Sequence, residues 1–105
     1  MSQRVGTDDF DEAVLGSKVP VLVDFYSDTC VPCKRLAPRL AKLEAELGSA
    51  LLVAKVNVEY DLPLAERYKV VASPTLLLFK DSREIDRHQG VMAPEGLKDF
   101  VEKAL

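Results

Sequence analysis

The two cysteines of this chain, Cys30 and Cys33, are separated by two residues, a spacing that brings both sulfurs within bonding range. A disulfide between them closes a small ring, so it can form and break without rebuilding the fold. The spacing therefore predicts dithiol–disulfide chemistry. In such an exchange one thiolate attacks a disulfide in another protein, and the second thiol then displaces that protein from the mixed disulfide.

A predicted strand and a predicted helix flank the pair. Val19 to Tyr26 is rich in Val, Leu and Phe and predicts a buried strand, whereas the residues from Val31 onward repeat with the period of a helix. The cysteines therefore lie at a helix N-terminus. Unpaired backbone N–H groups and the helix dipole stabilise a thiolate there.

These surroundings give the two sulfurs different roles. With Cys30 as the N-cap and Cys33 one turn later, Pro32 falls in the first turn, where its missing N–H does little harm. Lys34 adds a nearby positive charge, and all these features lower the pKa of the Cys30 thiol. We expect Cys30 to face solvent and attack, and Cys33 to be tucked against the protein and resolve the mixed disulfide.

Three other interpretations of the pair compete with this one. A zinc site needs about four ligands, and besides the two cysteines the chain has a single histidine, His88. A purely structural disulfide across so short a loop would remove little entropy from the unfolded chain. Inert buried thiols would not need a helix N-terminus and an adjacent lysine. We therefore expect no metal and no cofactor other than the Cys30–Cys33 disulfide.

Several motifs, in the right order along nearly the whole chain, resemble the thioredoxin family: Val23-Asp24-Phe25-Tyr26, Cys30-Val31-Pro32-Cys33-Lys34, Ser73-Pro74-Thr75-Leu76-Leu77-Leu78-Phe79-Lys80, and Gly90. The resemblance implies an α/β thioredoxin fold, with a central mixed sheet of four to five strands and helices on both faces. It implies an enzyme that reduces disulfides in client proteins. A thioredoxin reductase or an equivalent electron donor would then reduce it in turn.

The resemblance also gives roles to Asp24 and Lys55. Asp24 interrupts an apolar strand, so burial should raise its carboxyl pKa, and in thioredoxins the matching acid accepts the proton of Cys33. The counterpart of Lys55 lies near this acid and moderates its pKa. From the residues alone, Asp24 could instead meet solvent at a sheet edge, and Lys55 could extend its ammonium group into water.

The step Ser73-Pro74 precedes a predicted strand. In thioredoxins the matching bond is cis and packs beside the two sulfurs, and the backbone of the residue matching Ser73 can pair with an extended client segment. A trans proline at the start of a strand is the alternative that the residues themselves offer.

Two residues beside the cysteines depart from the family pattern. Thr29 stands where thioredoxins usually have Trp, and Val31 stands where they usually have Gly. The first change removes an apolar rim from the client groove, and the second stiffens the active-site loop. We expect these changes to alter the range of clients that bind the loop formed with Pro32.

The chain of 105 residues, about half of them apolar, is long enough for one domain over residues 1–105. Gln3 to Val5 is a candidate edge strand, and Pro38 should bend the long helix. The predicted elements are helix Thr7 to Leu15, strand Val19 to Tyr26, helix Val31 to Leu47, strand Leu51 to Val58, helix Leu64 to Tyr68, strand Thr75 to Phe79, strand Glu84 to Gln89 and helix Pro94 to Leu105.

The charge and the termini restrict the partners that we expect. A formal net charge of −3 does not favour nucleic acid or an anionic membrane. No stretch resembles a secretory signal or is long enough to cross a bilayer, so we expect a cytoplasmic location. We also expect the chain to be a monomer. Two alternatives to a disulfide reductase remain: an oxidant or isomerase of the same fold, and a non-catalytic binding module.

Overall fold

The structure is a computed structural model that describes residues 3–105. Residues 1 and 2, which the predicted domain 1–105 includes, lie outside the described residues. The strands are β1 Gln3–Arg4, β2 Val21–Tyr26, β3 Leu52–Asn57, β4 Thr75–Lys80 and β5 Arg83–Gln89. The helices are α1 Val31–Leu47, α2 Leu62–Arg67 and α3 Pro94–Glu102, with a π-helical segment at Asp11–Leu15 and a 3-10 turn at Gly48–Ala50.

The five strands form one mixed sheet in the order β1-β3-β2-β4-β5. β3 runs parallel to both β1 and β2, whereas β4 runs antiparallel to β2 and β5. β2 is therefore the central strand, and each neighbour places one residue beside Asp24: Lys55 on β3 and Leu76 on β4. The mixed sheet of the α/β class is confirmed.

Side chains that alternate along the strands separate two hydrophobic clusters, one on each face of the sheet. Helices α1 and α3 cover one face, around Leu22, Leu36, Leu78 and Val101. The π-helical segment and α2 cover the other face, around Phe10, Phe25, Leu64 and Phe79. Helices thus lie on both faces, as expected, and α1 is held firmly at the end of β2.

The long helix α1 has the bounds that the sequence predicts. It begins after Cys30, with Pro32 in its first turn, and it ends at Gly48, whose φ of +53° is a backbone conformation that favours glycine. The helix continues through Pro38, and the bend predicted there stays a prediction. The predicted edge strand near Gln3 is present as β1.

The predicted helix Thr7 to Leu15 is wrong over its first three residues, which form a turn. The backbone N–H and the hydroxyl of Thr7 both donate to the Asp61 carboxylate, at 2.9 and 3.0 Å, and this contact holds Thr7 in a turn. The last segment is also shorter than predicted, because α3 ends at Glu102. Beyond that point the N–H of Ala104 bonds to the carbonyl of Val101, which tightens the chain into a turn.

The exposed edge strand β5 carries mostly charged or polar side chains. The Arg87 guanidinium contacts the Glu84 carboxylate at 2.6 Å, and Lys103, which follows α3, forms an ion pair with Asp86. The opposite edge strand, β1, has two residues within the described part of the chain. Within residues 3–105, no helix combines the length and the apolar character that a membrane span needs.

The core of the sheet gives the first prediction. Leu78 on β4 is fully buried against α1 and α3, so Leu78→Ala leaves a cavity and should lower the free energy of unfolding by about 2–5 kcal/mol. Leu62 is 56% exposed, so the matched change Leu62→Ala should lower it by less than about 1 kcal/mol. Urea denaturation measures both. Equal losses in the two variants would contradict this packing.

Candidate active site

The two cysteines lie after the end of β2, at the start of α1. Cys30 is the N-cap residue with an extended backbone, and Cys33 is in the first turn. Their sulfurs form a disulfide, with the two Cα atoms 5.2 Å apart. The backbone N–H of Cys33 donates to the Cys30 sulfur at 3.2 Å, so an otherwise unpaired helix amide contacts the sulfur predicted to carry charge.

The expectation that Cys30 faces solvent is wrong for this disulfide form. Cys30 is 9% exposed, and Cys33 is 5% exposed, so the two residues differ little in burial. The reason is the loop before β4, which covers the pair: the Cys30 sulfur lies 3.3 Å from the backbone carbonyl oxygen of Ser73. Access to Cys30 is therefore narrow. Beside it, Thr29 and Pro32 are exposed, and Val31 is 60% exposed.

The loop that covers the cysteines contains a cis peptide bond between Ser73 and Pro74, as the family resemblance implies. Pro74 is buried, and its carbonyl accepts a hydrogen bond from the Gly90 N–H at 2.8 Å. Gly90 has a φ of +104°, a conformation that L side chains rarely adopt. The hydrogen bond joins the end of β5 to the loop beside the sulfurs.

A second contact fixes the segment that follows Gly90. The Arg39 guanidinium donates to the carbonyl oxygen of Met92 at 2.7 Å, and the Met92 side chain packs against the cluster formed by α1 and α3. Arg39 lies on the same helix as Cys33, and Cys30 is the N-cap of that helix. The helix that begins at the cysteines therefore also fixes the segment that follows Gly90.

Asp24 is buried in the middle of β2, with 1% of its surface exposed. Its Oδ1 atom has no hydrogen-bond partner among the described residues. Burial raises the pKa of this carboxyl from 3.8 to about 6, and the positive charge of Lys55 on the adjacent strand offsets part of that rise. The alternative of an Asp24 that meets solvent at a sheet edge is therefore excluded.

Lys55 is half-buried, and its Nζ atom lies 4.8 Å from the centre of the Tyr26 ring. This distance falls within the range of a cation–π contact. The ammonium group is thus directed toward groups of the site as well as toward water.

A cleft of about 170 Å³ lies beside Cys33. Asp24, Lys55 and Cys33 all line this cleft, so the structure brings these three predicted residues together. The volume has room for several water molecules, each of which occupies about 30 Å³ in the liquid. Cys30 contacts Ser73, and Pro74 bonds to Gly90, but none of these four residues lines this cleft.

Sequence reasoning overlooked two residues at this site, Tyr26 and Arg39. Alternation along β2 puts Tyr26 on the same face as Asp24, so its place beside the acid could have been found. The bond from Arg39 to Met92 joins positions 53 residues apart, and no local pattern predicts it.

The geometry agrees with comparisons to known proteins. The thioredoxin family model matches residues 2–103. The chain is a member of the thioredoxin family. With its two sulfurs paired at a helix N-terminus, this thioredoxin-family chain is a thiol-disulfide oxidoreductase.

Three relatives illustrate the similarity of this thioredoxin-family chain. It is 44% identical to probable thioredoxin-2 of Caenorhabditis elegans over 93% of this chain and 68% of that protein. It is 42% identical to a thioredoxin of Mycolicibacterium smegmatis over 96% of this chain and 92% of that protein. A thioredoxin of Rickettsia felis is 32% identical over the full length of both.

The chemistry of the site relies on protein sulfur. Within residues 3–105, no cluster of three or more His, Cys, Asp or Glu side chains is placed to hold a metal ion. Dithiol–disulfide exchange transfers electrons through the sulfur atoms themselves.

Burial of Asp24 predicts how stability depends on pH. Because its pKa rises from 3.8 to about 6 in the fold, the folded protein binds more protons than the unfolded chain between these values. The free energy of unfolding should therefore fall as pH rises through this window, by about 3 kcal/mol at about 1.4 kcal/mol per pKa unit. Urea denaturation of the disulfide form at pH 4 and pH 8 measures the fall.

Asp24→Asn should remove this part of the pH dependence, because the amide does not ionise. Asp28→Asn, a change of an exposed carboxylate in the same region, is the matched control and should keep it. The interpretation fails if Asp24→Asn and the unaltered protein lose the same free energy between pH 4 and pH 8.

Proposed function

We propose that this thioredoxin-family chain reduces disulfides in client proteins, with Cys30 as the attacking sulfur and Cys33 as the resolving one. The observation that carries the proposal is the hydrogen bond from the Cys33 N–H to the Cys30 sulfur at the start of the 17-residue helix α1. The first turn of that helix contains no acidic residue, so nothing there opposes a negative charge on the sulfur.

The first half of the reaction begins with the Cys30 thiolate. It attacks one sulfur of the client disulfide, a bond forms between Cys30 and the client, and the other client sulfur leaves as a thiolate that takes a proton. The neighbouring carbonyl of Ser73 lies close enough to position an extended client segment by backbone hydrogen bonds. Exposed Val31 and Val71 offer apolar contacts beside that segment.

The second half uses the cleft beside Cys33. The Asp24 carboxylate accepts the thiol proton of Cys33 through water, since a carboxyl with a pKa of about 6 is largely ionised at neutral pH and still basic enough to help. The Cys33 thiolate attacks the Cys30 sulfur, and the client leaves with its second thiol. The chain is left with the Cys30–Cys33 disulfide.

An external donor must then return two electrons to this disulfide, and we propose a thioredoxin reductase or an equivalent donor. Thr29 and Val31 flank Cys30 and are exposed, which supports a contribution of these residues to the choice of client. The chain acts as a monomer in this scheme, and its cytoplasmic location stays a prediction.

Serine substitutions test the two roles. Cys30→Ser should abolish insulin reduction in the presence of dithiothreitol, because no thiolate remains to attack. Cys33→Ser should also stop turnover, but the blocked resolving step should leave client proteins attached to Cys30 as mixed disulfides. Turbidity follows insulin reduction, and intact-protein mass spectrometry detects the adducts.

Ala50→Ser, an exposed change far from the cysteines, is the control and should keep full activity. Insulin reduction that survives Cys30→Ser would contradict the proposal. Adducts that accumulate on Cys33 in Cys30→Ser, with none on Cys30 in Cys33→Ser, would reverse the two roles.

A further inference from the structure

Lys55 on β3 lies close to two residues of the central strand β2, Asp24 and Tyr26. The register of β2 and β3 sets Lys55 of β3 beside Asp24 of β2. Tyr26 lies two residues after Asp24 on β2, so it is on the same face of the sheet as Asp24. The Lys55 Nζ atom is 4.8 Å from the centre of the Tyr26 ring. Tyr26 also lines the cleft that contains Asp24, Lys55 and Cys33.

An unrestrained lysine at this position would move away from the carboxylate. Its long side chain gains conformational entropy and hydration when the ammonium group extends into water. Lys55 is only half-buried, so the path to solvent is open. The face of an aromatic ring attracts an ammonium group, and a partly desolvated site strengthens that attraction. The Tyr26 ring is therefore the contact that opposes this movement.

We propose that Tyr26 is a positioning residue for the resolving step: its ring holds the Lys55 ammonium group beside Asp24, and so prepares the carboxylate to accept the proton of Cys33. The proposal rests on the function proposed above. Tyr26 itself touches no reacting sulfur in this scheme, because it acts through Lys55.

Among the described charged groups around Asp24, Lys55 is the one that acts on its carboxylate. The titratable groups that line the cleft with Asp24 are Tyr26 and Lys55 from the sheet, Cys33 and Lys34 from α1, and Asp28 from the connecting loop. Lys34 and Asp28 are exposed and opposite in charge. Lys55 is the group whose charge lowers the pKa of Asp24 against the effect of burial.

Two substitutions separate the aromatic ring from the hydroxyl group of Tyr26. Tyr26→Phe keeps the ring and should leave Lys55 in place. Tyr26→Leu removes the ring, so Lys55 should move into water and the pKa of Asp24 should rise. We expect the titration midpoint of Asp24 to shift upward by roughly 0.5–1 pH unit in Tyr26→Leu, in the direction of Lys55→Met.

NMR measures the midpoint from the carboxyl carbon of Asp24, and stopped-flow kinetics measures the pH dependence of client release from the mixed disulfide. Both midpoints should rise together in Tyr26→Leu and stay unchanged in Tyr26→Phe. In a Lys55→Met background, Tyr26→Leu should add no further shift, because the ring acts only through the ammonium group. A purely packing role for Tyr26 would not produce this dependence on Lys55.

The unaltered protein provides a test that does not depend on how the variants fold. An ammonium group over the face of a ring places the ε-protons of Lys55 in its shielding region, so their NMR signals should lie upfield of those of exposed lysines. Signals at ordinary positions would overturn the proposal, as would an Asp24 midpoint that Lys55→Met moves and Tyr26→Leu does not. Neither result would affect insulin reduction by Cys30, so failure of this proposal is distinct from failure of the proposed function.

Discussion

The start of α1 lies against the end of the central strand, and the chemistry of the site depends on this junction. A helix begins with amide groups that have no partner within the helix, and here one of them, the N–H of Cys33, contacts the sulfur of Cys30. The contact survives only while the helix keeps its place. Leu36 and Leu40, fully or almost fully buried against the sheet, provide that anchorage.

The same junction explains why an unfavourable carboxyl group is kept in the core. Asp24 occupies a strand position where an apolar residue would pack without loss, and its buried Oδ1 has no hydrogen-bond partner among the described residues. The position is also next to the cleft that reaches Cys33. Stability at neutral pH is therefore reduced at a point where the proposed mechanism uses a proton acceptor, with Lys55 supplying partial compensation.

Local signals made much of this arrangement predictable. The bounds of α1 follow from the N-cap at Cys30 and from Gly48, and burial of Asp24 follows from the apolar residues around it. Features set by distant contacts could not be predicted in this way. The hydrogen bond between Thr7 and Asp61 replaces the start of a predicted helix with a turn, and it joins positions 54 residues apart.

Two details of the site show the same limit. A position at a helix N-cap predicts an open sulfur, but the loop at Ser73, which covers Cys30, comes from a separate part of the chain. That its bond to Pro74 is cis followed from family resemblance, since the residues alone strongly favour trans. Packing between segments, rather than any one segment, decides how open the sulfurs are.

The two edge strands, β1 and β5, affect where other polypeptides can pair with the sheet. Unpaired strand edges tend to recruit other extended chains, yet β1 spans two of the described residues and β5 presents ionic side chains such as Glu84 and Arg87. An unfolded or extended polypeptide is therefore disfavoured from pairing with either edge strand. The backbone at Ser73, where we propose that clients bind, precedes the interior strand β4, so client binding there would not require pairing along either edge of the sheet.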